Sequence, residues 1–167
     1  MSTLRLRALA LSLCFFAPWA GAVDYRSVGV PAAILYDAPS LQAKKLYLIK
    51  AQTPVEAVVK LDGWIKVRYA EGTLAWIEAG QLAPRRTVIV TAAQTPLRSE
   101  AREEAPVLIE CGKWVVLDFV AAAAPGWVQV KHRDGATAFG RAHQLWGLGN
   151  LPSLVPGPGE PGWAAVL

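Results

Sequence analysis

Apolar and polar side chains alternate with period two from Trp64 to Tyr69. Ile65, Val67 and Tyr69 point to one side, and Trp64, Lys66 and Arg68 to the other. Trp127–His132 repeats the pattern, with Val128 and Val130 opposite Gln129 and Lys131. Such alternation marks a strand with one buried face. Each run stops at a turn signal, Ala70-Glu71-Gly72 or Arg133-Asp134-Gly135, where glycine is free to take a positive φ. Apolar residues resume at Thr73–Ile77 and Ala136–Phe139, which predicts two hairpins. Pro54–Leu61 and Trp114–Val120, rich in β-branched residues, are predicted as the strands before them. Leu46–Ile49, Val107–Ile109 and Val88–Val90 read as further strands. Strand parity predicts Ile65, Val67, Val128 and Val130 buried, with Lys66 and Arg68 exposed.

The two hairpins are copies of one unit. Gly63-Trp64-Ile65-Lys66-Val67-Arg68-Tyr69 aligns with Gly126-Trp127-Val128-Gln129-Val130-Lys131-His132. Glu71-Gly72 aligns with Asp134-Gly135, Ala75-Trp76 with Ala138-Phe139, and Gln81-Leu82 with Gln144-Leu145, at an unbroken offset of 63 residues. A duplicated module of that size is expected to fold as one small domain. No long helical period follows the N-terminal stretch. The chain is therefore expected to be all-β, with two small five-stranded barrels fitting the lengths.

The N-terminus reads as a secretory signal peptide over residues 1–22. Arg5 and Arg7 precede an apolar run from Ala8 to Ala17, Pro18 breaks it, and Ala20-Gly21-Ala22 supplies small residues at a cleavage site. That run is too short to span a bilayer, so no stable membrane span is expected after cleavage. The expected location is periplasmic or secreted. Losing Arg5 and Arg7 leaves 15 basic against 13 acidic residues, a net charge of +2. Such a small excess argues against a nucleic-acid partner. Cys111 alone remains of the two cysteines. It cannot form an internal disulfide, so the fold must stand on its core, and Cys111 is expected to be buried as a small hydrophobe.

The expected order is a first barrel over 23–83, a linker over 84–86, a second barrel over 87–148 and a Pro/Gly-rich flexible tail over 149–167. The linker Pro84-Arg85-Arg86 is short enough to hold the barrels together. The tail's proline, glycine and small residues cannot build a core.

Asp62-Gly63-Trp64, Lys66-Val67-Arg68, Glu71-Gly72, Ala75-Trp76-Ile77 and Leu35-Tyr36-Asp37-Ala38-Pro39-Ser40 together resemble the bacterial SH3 domain family. Arg86-Thr87-Val88-Ile89-Val90 and Leu145-Trp146-Gly147 resemble the bookends of a double-SH3 subgroup in exported proteobacterial proteins. The likeness covers about Tyr25 to Leu148 and implies two tandem SH3-like barrels. Phe139-Gly140 departs from the family, which usually has Gly-Trp and then an apolar residue there. Ala75 stands where glycine is usual. Family members commonly act as targeting or ligand-binding modules at the cell wall, beside separate catalytic domains. Fold follows from this likeness more directly than activity does.

The chain offers little to an enzyme. His132, His143 and Cys111 are too few and too scattered for a zinc site, and no phosphate-binding loop is present, so no cofactor or metal is expected. A thiol enzyme using Cys111 is the minor alternative. The tryptophans say more, because parity places Trp64 and Trp127 on the polar faces of their strands. An outward indole either binds a ligand or covers its neighbours. The candidate ligand-binding residues are Trp64, Tyr36, Tyr69, Lys66, Arg68, Trp127 and Lys131. At least one indole is expected to line a shallow groove between the loop after Tyr36 or Thr95 and the loop before Gly63 or Gly126. Trp76, Trp114 and Trp146 are expected to pack, Trp114 over the junction between the barrels. The function expected is a non-catalytic binding or scaffold module in the envelope, with peptidoglycan peptide or a protein segment as ligand. The alternative is an adaptor that docks a separate envelope enzyme or transporter.

Overall fold

The computed structural model describes residues 23–149; the expected signal peptide and the tail beyond Gly149 lie outside them. The described chain forms two antiparallel sheets. The first holds β1 (Asp24–Val28), β2 (Ala32–Tyr36), β3 (Lys45–Lys50), β4 (Pro54–Leu61), β5 (Trp64–Arg68), β6 (Leu74–Glu78) and β7 (Leu82–Ala83). The second holds β8 (Thr87–Val90), β9 (Gln94–Arg98), β10 (Val107–Gly112), β11 (Val116–Ala122), β12 (Trp127–Lys131), β13 (Thr137–Arg141) and β14 (Leu145–Trp146). Their orders, β3-β2-β6-β5-β4-β1-β7 and β10-β9-β13-β12-β11-β8-β14, are the same topology twice. Each sheet closes over its own core as an SH3-like barrel. The sheets have seven strands rather than the expected five, because β1 and β7, like β8 and β14, pair at the closing edge.

The expected hairpins are β5–β6 and β12–β13. Gly72 (φ 86°) and Gly135 (φ 97°) take the left-handed conformation at their turns. Each amide donates back three residues, to Tyr69 and His132. Inward residues form the two cores: Leu35, Val55, Ile65, Val67 and Ile77 in the first, Val88, Leu97, Leu117, Val128 and Val130 in the second. Full burial of such side chains contributes about 1.5–3 kcal/mol each. Lys66 is half-buried and Arg68 exposed, so the register follows the predicted parity.

The repeat is longer than the hairpins. Upstream, β2 and β3 recur as β9 and β10 at an offset of 62 rather than 63. The extra residue lies in one turn: β4 and β5 are joined through Asp62-Gly63, whereas Ala124-Pro125-Gly126 separates the paired Ala123 and Trp127. Trp114, expected in a strand, stands instead in the turn before β11 at φ 72°.

The barrels touch along a seam. Ser27 Oγ on β1 lies 2.7 Å from Thr87 Oγ1 on β8 and 2.7 Å from the Arg85 carbonyl. Thr87 Oγ1 also lies 2.7 Å from the Gln52 carbonyl. Two hydroxyl protons thus serve three close contacts around the buried Ser27 and Thr87. Tyr25 meets Trp146 edge-on at 5.2 Å. The linker is fastened as well: Arg85 forks onto the Asp118 carboxylate, and Arg86 donates to the Leu148 carbonyl.

Candidate functional site

The outer face of the first barrel is built from residues that alternate with its core. Across β4, β5 and β6 one row reads Leu61, Trp64, Glu78, and the next reads Val59, Lys66, Trp76, with Tyr36 on β2 opposite Trp76. A third row carries Glu56, Arg68 and Leu74. Leu61, Val59 and Leu74 are all exposed, Leu61 by 53%. Trp64 and Trp76 are half-buried among them. Alternation alone would make this face polar; six of its positions are apolar or aromatic instead.

Trp64 and Tyr36, chosen from the sequence as partners, do meet: their rings are 5.4 Å apart at 88°. Edge-to-face pairs of this kind add about 0.5–1.5 kcal/mol beyond area burial. The contact buries Tyr36 and leaves part of the indole outside. Lys66 reaches over Trp76, with Nζ 5.8 Å from the ring centroid. Arg68 faces Glu56 across the strands at 3.5 Å, so its charge is partly met. Tyr69 is not part of this group. It packs beside the first core and meets Tyr47 at 6.3 Å, because its parity is that of Ile65 and Val67.

The second barrel closes the matching face. Trp127, expected outward, is only 4% exposed. Arg141 replaces Glu78 at the cross-strand position and lays its guanidinium 4.2 Å from the Trp127 ring centroid. Glu103, from the β9–β10 loop, accepts from Arg141 Nε at 2.6 Å and lies 3.5 Å from Arg98. Arg98 in turn stands where Tyr36 stands in the first barrel, opposite Phe139 instead of Trp76. Lys131 is exposed but belongs to a face whose indole is covered. The fold thus gathers Trp64, Tyr36 and Lys66 around an open face, and it seals Trp127.

Residues 29–84 match the family model of the bacterial SH3 domain. The matched stretch holds β2 to β7, and with them Tyr36, Trp64 and Trp76. No curated protein matches the chain. Among solved structures, the chain is similar to NlpC2 from Trichomonas vaginalis, at 14% identity and a TM-score of 0.34, covering 74% of this chain and 47% of that one. NlpC1 from the same organism gives 12% identity and a TM-score of 0.35, covering 78% and 48%. An NlpC/P60 family protein from Bacillus cereus ATCC 10987 gives 17% identity and a TM-score of 0.34, covering 72% and 55%. The chain spans about half the length of these structures.

Cys111 lies in the second core, 3% exposed, packed with Leu97 and Val130. Burial, assisted by the Asp134 charge, pushes its thiol above the ordinary range and keeps it protonated, the inert form. The native protein is expected to react with a charged thiol reagent at least about a hundredfold more slowly than the denatured chain, as buried thiols do. Equal rates would show an accessible nucleophile. Among the described residues, no three His, Cys, Asp or Glu side chains gather as a metal site. No helix among them is long and apolar enough to cross a membrane.

Proposed function

We propose that this chain is an exported, non-catalytic binding module of the bacterial envelope, and that its first barrel takes an extended ligand on the face around Trp64. The ligand class is a peptidoglycan stem peptide or a short protein segment. One observation carries the reading: an exposed apolar patch of Val59, Leu61 and Leu74, beside the half-buried Trp64 that rests on Tyr36, stands on the strand faces that should be polar in a self-sufficient barrel. Lys66 beside it offers a cation to a ligand carboxylate. Export is drawn from the N-terminal pattern, and the binding role from the bacterial SH3 match together with this face.

The test is co-sedimentation of the protein with purified sacculi. The expected result is retention in the pellet, reduced in Trp64→Ala by about thirtyfold in affinity, the ~2 kcal/mol of an interface hot spot. Thermal melting of the variant should show a much smaller loss, since Trp64 lies outside the core. Wild-type protein left in the supernatant removes the cell-wall version. Recovery of a cross-linked envelope protein through the same face would then favour the adaptor version.

A further inference from the structure

The seam between the barrels opens into a cleft of about 470 Å3, whose walls include Leu48, Pro54 and Tyr69 from one barrel and Ile89, Trp114 and Val116 from the other. A second hollow of about 340 Å3 shares Trp114 and Val116 and continues to His132 and Arg133. The indole of Trp114 lines both.

Trp114 is costly where it stands. Its φ of 72° is the left-handed region, which bulky residues enter with strain. The turn itself demands that conformation, because Gln52, its counterpart in the first barrel, has φ 65°. Both amides then donate to the first strand of their own barrel, Trp114 to Val90 on β8 and Gln52 to Val28 on β1. Glycine or asparagine would meet the same demand with less strain. The indole is 42% exposed and belongs to neither core, so packing does not explain the choice. Strained residues held at an exposed position cluster at ligand contacts.

The surrounding charge selects the ligand. Lys50 and Arg133 line the hollows, and Lys113 Nζ lies 4.7 Å from the Trp114 ring centroid. Among the described residues none of these three cations forms a side-chain ion pair. Glu71 lines the same cleft from the other sign. One wall is β3, an edge strand paired with β2 only, with Leu48 66% exposed. An unpaired edge receives extended backbone, and the apolar lining suits alternate side chains better than it suits sugar hydroxyls.

We infer that the seam cleft is a second binding site, for an extended acidic peptide that adds to β3 and lays an apolar side chain against Trp114. This site is separate from the Trp64 face. The probe is an acetylated, amidated hexapeptide of alternating glutamate and leucine, titrated into the intact protein with indole resonances observed by NMR. The Trp114 indole signal, identified by its loss in Trp114→Gly, is expected to shift. Trp114→Gly should weaken binding at least about tenfold without lowering the melting temperature, since it also relieves strain. Lys50→Glu, an exposed change, should weaken it comparably, and Trp64→Ala should leave it unchanged. Equal binding of a lysine–leucine peptide, or wild-type affinity in Trp114→Gly, overturns the proposal. A melting loss in Trp114→Gly larger than in Gln52→Gly assigns the indole to packing and overturns it too. Self-association that vanishes in Trp114→Gly would make a second copy the occupant and overturn the peptide assignment.

Discussion

Gly147→Ala is expected to destabilise the protein by about 3 kcal/mol, from backbone strain plus overpacking. Gly147 has φ 105°, where an L side chain is strained in any surroundings. An added Cβ would also lie 2.9 Å from the Thr87 carbonyl oxygen and 3.3 Å from Pro54, backbone and ring on the two sides of the seam. Neither neighbour yields cheaply: Thr87 is anchored by its hydroxyl contacts, and Pro54 is buried on β4. At the usual conversion for small domains, the melting temperature falls by roughly 10 °C or more. Gly72→Ala supplies the comparison, since its φ is also positive but an added Cβ meets nothing within 4 Å. It should cost about 1 kcal/mol, the strain alone. Equal losses in the two variants would show that the seam is loose enough to absorb a methyl group.

The second large effect separates the two equivalent tryptophans. Trp127→Ala is expected to cost about 3 kcal/mol or more, the range for truncating a buried indole. The change empties a site packed beneath Arg141 and leaves the Arg141–Glu103 pair without its platform. Trp64→Ala should cost stability far less and ligand affinity far more. The decisive comparison is chemical denaturation of both variants beside sacculus binding of both. A Trp127→Ala protein as stable as wild type, but defective in binding, would mean that the Arg141–Glu103 cover opens in solution.

Those tryptophans also show where sequence stops informing. Trp64 and Trp127 share parity, strand position and neighbours, so alternation treats them alike. What distinguishes them is Arg141 in place of Glu78, and Glu103 arriving from a loop that the chain leaves long before β12. No local pattern records that meeting. The hairpins were legible because alternation and turn glycines are local signals that agree with each other. The strands β1, β2 and β9 were not. Pro96 interrupts the apolar pattern of β9 although it pairs opposite Glu110, and β2 begins with two alanines of weak strand preference. Trp114 followed the same logic: its neighbours Val115-Val116-Leu117 read as strand, and only glycine advertises a left-handed turn. The seam cleft needs both repeats in place before it exists.

A repeated topology exposes a folding chain to a particular error, the exchange of equivalent strands between copies. The inward residues of β5 and β12 offer little protection, since Ile65 and Val67 are close in shape to Val128 and Val130. Protection comes from the next strand. Ile77 fills the first core, and its counterpart is Gly140, where even a Cβ would come within 3.0 Å of Leu97. Placing β6 in the second barrel would drive an isoleucine side chain into Leu97. Placing β13 in the first would leave a void where Ile77 belongs. Gly140 therefore works as a key of identity, rejecting each strand from its twin's lattice while the chain is still choosing partners.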